Sequence, residues 1–181
     1  MNTANWNVIV TTYDREFRYA MRLLSRFGQT APTHYRNLFV MYVPDVLEFL
    51  RAIEEQLLTD ASIANSVARI SPVTSRFDFS SPEEFEETAC HTVEQWLDAL
   101  RGNSFHVRVH RRGFKGRLSS QREEQLLGRH LLGRLEQQGS VATVDFDDPD
   151  LTVVVEILGE SAGAAIWTRE QLQTFQLLRF D

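Results

Sequence analysis

Ser104-Phe-His-Val-Arg-Val-His110, continued by Arg111-Arg-Gly-Phe-Lys-Gly-Arg117 and Leu118-Ser-Ser-Gln121, decides how the chain reads. In the first seven residues Phe105, Val107 and Val109 alternate with His106, Arg108 and His110. A period of two predicts a half-buried β-strand with a basic outer face. The next seven are punctuated by Gly113 and Gly116, which loosen the backbone into a loop. Ser119-Ser120 then precedes a helix from Gln121 to about Gln138, with Leu126, Leu127, His130, Leu131 and Leu135 in its stripe.

The same stretch is a charge anomaly. The chain has a formal net charge of −6, which taken alone argues against a polyanion partner. Position matters more than the sum. Between Arg101 and Arg122 there are seven basic residues and no acid, whereas Asp145 to Asp150 holds four acids in six positions. Arginines provide forked donors for phosphate oxygens. Glycines allow close backbone approach, and a helix N-terminus presents free N–H groups to an anion. Phe114, an aromatic among cations, can stack on a base. The run therefore reads as a clamp for RNA or another polyphosphate. The bland alternative is a solvated face paired with the acidic turn.

Upstream, Asn7–Thr12 predicts a strand, and Asp14 to Phe27 a helix that Gly28 ends. Asn37–Val43 predicts a strand, Pro44-Asp45 opens a second helix, and Ala68 to Phe77 is a third strand, with Pro72 implying an edge or irregular position. That β-α-β-α-β order in residues 1–80 suits a small ferredoxin-like domain in an α/β (α+β) protein. At Ser80-Ser81-Pro82, followed by Glu83, Glu84, Glu86 and Glu87, a new domain starts on a helix running to about Leu100. It extends to residue 168, with β-type segments at Val141–Phe146, Leu151–Leu158 and Ala162–Trp167. Residues 169–181 are a tail with a short helix.

No segment approaches the roughly 20 apolar residues of a membrane span, and Met1–Val10 lacks the pattern of a secretory signal. Cys90 is the only cysteine, which excludes an internal disulfide and a Cys-rich zinc site and fits the cytoplasm. Cys90 and His91 are neighbours on a helix and so point apart, which makes a poor dyad. The histidines complete no metal motif, and neither a Walker A loop nor a dinucleotide fingerprint is present. The expectation is no catalytic residue, no metal and no cofactor.

The run Ser104–Gly113 with Lys115–Gln121 and Leu127-Gly-Arg129 resembles the core of a THUMP domain. So does Val144-Asp-Phe-Asp-Asp-Pro-Asp-Leu-Thr-Val-Val-Val-Glu156 with the Gly159 turn, and the resemblance covers roughly residues 82 to 168. The N-terminal region resembles the ferredoxin-like domain that commonly precedes it. The whole chain is most similar to stand-alone proteins that assist tRNA cytidine acetylation. The resemblance implies two domains packed together, gripping the acceptor stem and 3′ end of tRNA for a separate modifying enzyme. The RNA-contacting set is then Arg108, His110, Arg111, Arg112, Phe114, Lys115, Arg117, Ser119, Ser120, Gln121, Arg122 and Arg129. Two alternatives stay open: an RNA-modifying enzyme acting through His106 or His110, and a protein-interaction module with a basic docking patch.

Overall fold

The computed structural model describes residues 5–180. The chain forms two compact units. One runs up to Pro72 and takes back the segment from Leu172 onward, and the other spans Val73–Gln171.

The first unit is built from β1 (Val8–Thr12), α1 (Phe17–Leu24), β2 (Gln29–Pro32), β3 (Leu38–Tyr42), α2 (Val46–Thr59), α3 (Ser62–Ser66) and β4 (Val67–Pro72). Its sheet has the order β2-β3-β1-β4 with every neighbour antiparallel. Each crossover skips one strand, so β3 lies between β1 and β2 and β1 lies between β3 and β4: a split βαβ arrangement. Asp45 caps α2 by accepting the Glu48 N–H at 2.8 Å, and Phe49, Leu50 and Ile53 of that helix are buried. The segment after Thr174 closes the unit, with the Leu177 carbonyl accepting the Ile70 N–H at 2.8 Å and Phe175, Leu178 and Phe180 buried.

Four expectations need correction here. The order is β-α-β-β-α-β, one strand richer, because β2 buries only Ala31 and leaves no alternation to read. Helix α1 starts at Phe17, since Arg15 is left-handed (φ 72°) and Asp14 is engaged by Arg36 and Asn37. Gly28 does not end the helix in a left-handed turn. Its Cα passes so close to β3 that a Cβ would lie 2.3 Å from the Tyr42 carbonyl oxygen. The stretch Ala68–Phe77 is two strands: β4 ends at Pro72 on a sheet edge, and β5 (Ser75–Asp78) belongs to the other unit.

In the second unit β5 is followed by α4 (Pro82–Val93), a 3-10 turn (Glu94–Trp96), α5 (Leu97–Leu100), β6 (Ser104–Arg112), α6 (Ser120–Gln137), β7 (Thr143–Val144), β8 (Leu151–Leu158) and β9 (Ser161–Thr168), with α7 (Arg169–Thr174) after them. The helix expected through Leu100 is thus interrupted after Val93. The sheet order is β5-β9-β8-β6-β7; β6 is parallel to β7 and β8, and β8-β9 and β9-β5 are antiparallel. Ser81 caps α4 by accepting the Glu84 N–H at 3.1 Å, while Ser80 donates from N–H and hydroxyl to Glu84 Oε2 at 2.8 and 2.6 Å. Phe85, Ala89 and Val93 of α4 and Leu127, Leu131 and Leu135 of α6 pack on Phe105, Val107 and Val109 of β6 and on Val153, Val155 and Ile157 of β8. The alternation read along β6 holds on this face. The other face is not open throughout, because His106 is only 6 % exposed and its neighbours Thr152 and Val154 on β8 are buried.

Candidate nucleic-acid interface

β7 accompanies β6 only at Ser104 and Phe105, and the chain turns away after the Asp145 N–H meets the Phe105 carbonyl at 3.0 Å. From there α6 lies along the free edge of β6. Glu124 Oε1 accepts the Val109 N–H at 2.9 Å, satisfying an edge donor that no strand reaches. Between β6, the first half of α6 and the Val144–Phe146 segment runs a groove of about 550 Å³. Its polar lining comes from Arg108 on β6 and from Gln121, Glu124, Gln125 and Arg129 on α6, of which Gln121, Gln125 and Arg129 are four residues apart and share one helix face. His106 and Phe146 complete it, their rings edge-on at 4.9 Å between centroids. Phe146 is 69 % exposed. Burial, helped by the Arg108 charge, pushes His106 below the ordinary histidine value, so its imidazole is neutral at pH 7.

The loop after β6 turns through three left-handed residues, Gly113 (φ 100°), Phe114 (φ 49°) and Gly116 (φ 80°). Phe114 packs inward. Its ring lies 5.1 Å from that of Phe79, and the Arg117 guanidinium covers it at 4.8 Å. The Phe114 carbonyl accepts the N–H groups of Arg117 and Leu118 at 3.0 and 3.1 Å, closing the loop over a buried Leu118. Ser119 caps α6 by accepting the Arg122 N–H at 3.5 Å.

The residues anticipated from sequence separate into groups. Arg108, Gln121 and Arg129 meet in the groove. Lys115, Arg117 and Ser119 stand exposed on the loop and helix start, with Ser120 half-buried behind them. Arg111 turns back on the Gly113 carbonyl, and Arg112 donates to the Arg111 carbonyl at 3.3 Å. Arg122 pairs with Glu86 at 3.3 Å, and His110 Nδ1 lies 3.1 Å from Glu156, a carboxylate 2 % exposed. Phe114 is placed as the loop's anchor, and the exposed aromatic beside the groove is Phe146. Sequence reasoning passed over Phe146, Gln125 and the buried position of His106. The signals were present: a lone aromatic among acids is not core, and Gln125 falls between Gln121 and Arg129 on one face.

The acidic turn is engaged elsewhere. Asp148 and Asp150 pair with Arg169 at 2.7 and 3.1 Å, and Asp145 accepts the N–H groups of Asp147 and Asp148. Among the described residues, Arg108, Arg112, Lys115, Arg117 and Arg129 have no carboxylate within ion-pair distance. The other chemical groups are held internally. Burial, with Glu86, Glu94 and Glu123 nearby, pushes the Cys90 thiol up to about 11, so it is not a nucleophile at neutral pH. His130 pairs with Glu94 at 2.8 Å. Among the described residues no group of three or more His, Cys, Asp or Glu is placed to hold a metal ion, and no helix is long and apolar enough to cross a membrane.

Residues 79–166 match the model of the THUMP domain, so the chain contains one. Among curated proteins none matches the chain in sequence. Solved structures share the fold. PH1313 from Pyrococcus horikoshii Ot3 superposes with a TM-score of 0.59 at 15% identity over 91% of this chain and 55% of that one. TrmN from Thermus thermophilus gives 0.58 at 18% over 90% and 45%, and a 4-thiouridine synthetase–RNA complex with bound ATP gives 0.53 at 15% over 91% and 42%. The chain spans about half the length of these proteins.

Proposed function

We propose, on the footing of the THUMP domain at residues 79–166, that the chain is a cytoplasmic tRNA-binding adaptor, without catalysis of its own, that presents tRNA to a separate modifying enzyme. The observation that carries this reading is the groove in which Arg108 and Arg129 flank Gln121, Gln125, a neutral His106 and the exposed Phe146. Arg108 and Arg129, with Lys115 and Arg117 on the loop, take phosphate oxygens. Side-chain amides and a neutral imidazole both donate and accept, which suits base edges and 2′-hydroxyls. The acceptor stem and its unpaired 3′ end offer both a backbone and free bases, and this is the part of tRNA the groove would hold.

Delivery is favoured over catalysis because Glu124, the carboxylate that lines the groove beside His106, is engaged by the Val109 N–H rather than poised as a base. Cytidine acetylation is the reaction we would test first. One solved structure that shares the fold is a 4-thiouridine synthetase–RNA complex with bound ATP, and this chain covers 42% of it.

The test is tRNA binding by the purified chain over a range of salt. Binding should weaken steeply as salt rises, because each neutralised phosphate contributes a slope of about −0.9 in log K against log salt. Arg108→Glu with Arg129→Glu should reduce affinity at least tenfold. No binding by the unaltered chain at low salt would sink the reading. Modification of tRNA by the chain alone, with acyl donor or other cofactor supplied, would replace the adaptor by an enzyme.

A further inference from the structure

The first unit carries a hollow whose chemistry is unlike that of the groove beside β6. It holds about 290 Å³ and is lined by Phe27, Val43, Pro44, Phe49 and Ala52, with the exposed Asp45 and Glu48 at its rim. Close backbone approach builds it. At Gly28 a Cβ would lie 2.9 Å from Val43 Cγ1, and this approach brings Phe27 edge-on to Phe49, with 5.9 Å between ring centroids. Val43 is pinned in turn, since the Asn7 amide donates to its carbonyl at 2.8 Å and accepts its N–H at 2.9 Å. On α2, Phe49 turns into the core, and Ala52 three residues later is the small side chain that leaves the space open. The walls are therefore set before anything binds.

The helix beside the hollow is acidic on its outer side. Glu48, Ala52 and Glu55 follow one another at spacings of four and three, so they share a helix face. Glu48 and Glu55 are exposed, and among the described residues neither lies within ion-pair distance of a cation, Arg51 between them included. Asp45, which accepts the Glu48 N–H at 2.8 Å, adds a third negative charge. The Arg26 guanidinium is close by but covers the Phe27 ring, at 4.8 Å. Carboxylates in this number repel RNA phosphates. The volume is also just under the roughly 300–1,000 Å³ of small-molecule pockets. A hollow of this size takes one or two large apolar side chains, and the flanking acids suit lysines or arginines beside them.

We propose that this side of α2 is a docking site for a basic segment of a partner protein. The segment seats a large apolar side chain against Phe27, Phe49 and Ala52 and pairs its cations with Glu48 and Glu55. Charge complementarity selects a cationic partner, and the side-chain-sized hollow selects an apolar anchor on it. Naming the modifying enzyme as that partner rests on the adaptor reading above. The docking site itself stands apart from tRNA binding, because no residue of the RNA groove takes part in it.

The probe is a phage-displayed library of random peptides panned on the full chain, with the enriched sequences synthesised and their binding followed by fluorescence anisotropy. Enriched sequences should join a leucine, phenylalanine or tryptophan to lysine or arginine. Ala52→Gln, which fills the hollow, should weaken their binding about tenfold or more, as loss of a central anchor pocket does. Glu48→Gln with Glu55→Gln should slow association and flatten its salt dependence, as loss of rim charge does. Arg108→Glu with Arg129→Glu should bind the peptides as the unaltered chain does. Melting curves identify any variant that fails to fold, and amide resonances of Phe27, Val43 and Ala52 in the unaltered chain should shift when peptide is added. The inference is overturned if no sequence is enriched, or if the enriched sequences are acidic. It is overturned too if they bind both α2 variants like the unaltered chain, or if those amides stay in place. Self-association of the unaltered chain that Ala52→Gln abolishes would give the face to a second copy and overturn it equally. Failure of the chain to bind tRNA would remove the tRNA reading and leave the docking site standing.

Discussion

Asp150 and Ser104 hold each other across the start of the parallel strand pair. Asp150 Oδ2 accepts from the Ser104 N–H and from its hydroxyl, both at 2.8 Å, and the Asp150 N–H donates to Ser104 Oγ at 3.0 Å. This knot aligns Phe105 with Leu151, the first pair in a register that runs to Arg112 and Leu158. It therefore sets where Arg108 falls along the groove.

Replacing Ser104 by alanine removes two of these three hydrogen bonds and should lower stability, measured by urea unfolding at pH 7. The loss should depend on pH. Hydrogen bonds from Ser104 hold the Asp150 carboxyl below the usual carboxylate range. A depressed folded value stabilises above the unfolded value of about 3.9 and is lost as pH falls through the folded value. The gap between Ser104→Ala and the unaltered chain should therefore narrow below about pH 4. A gap independent of pH would contradict the assignment.

Glu123 should behave in the opposite sense. It is 1 % exposed at the start of α6, and burial, with Glu86 beside it, pushes its carboxyl above the ordinary value. A raised value gives stability that is full below the unfolded value and lost as pH rises through the folded one. Glu123→Gln removes that loss and can still accept a hydrogen bond through its amide oxygen. Its melting temperature should exceed that of the unaltered chain at pH 7, and the two should converge near about pH 4. A lower melting temperature at pH 7 would show that the ionised carboxylate is needed.

Much of the second unit could be read in its residues. Phe105, Val107 and Val109 announce the inner face of β6 by period two, and Ser81-Pro82 and Ser119 mark the helix starts. What escaped depends on partners distant in sequence. β2 is four residues at a sheet edge, held by pairing with β3 rather than by its own pattern. The break at Pro72 is a change of sheet, which alternation cannot register. Gly28 reads as a helix stop in sequence, because only the position of Tyr42 shows that it is there for space. At the site, local charge points to Arg108, and the resemblance to the THUMP core supplies Gln121 and Arg129, which line the same groove. Whether Phe114 or Phe146 faces outward was settled by Phe79, which gives the first of them something to pack on.

Two glycines should respond to alanine with opposite signs. At Gly28 the new Cβ would fall 2.3 Å from a backbone oxygen and 2.9 Å from Val43 Cγ1, so β3 must shift. We expect a loss of about 3 kcal/mol, the upper range of overpacking. At Gly133, inside α6, a Cβ meets nothing within 4 Å. Its replacement should add up to about 1 kcal/mol through helix propensity. Denaturant midpoints of the two variants, placed on either side of the unaltered chain, check the pair.

The two phenylalanines near the groove should separate folding from binding. Phe114→Ala removes a half-buried ring that lies against Phe79 and under Arg117. It should cost about 2 kcal/mol of stability, less than the roughly 3–5 of a fully buried ring. Phe146→Ala removes a ring that is 69 % exposed and touches His106 by an edge. Its stability should stay within about 0.5 kcal/mol of the unaltered chain. Its affinity for tRNA should fall by about 1–3 kcal/mol if a base stacks on the ring, and Phe146→Trp should retain binding. Equal tRNA affinity for Phe146→Ala and the unaltered chain would remove stacking from the groove and leave it a phosphate site alone.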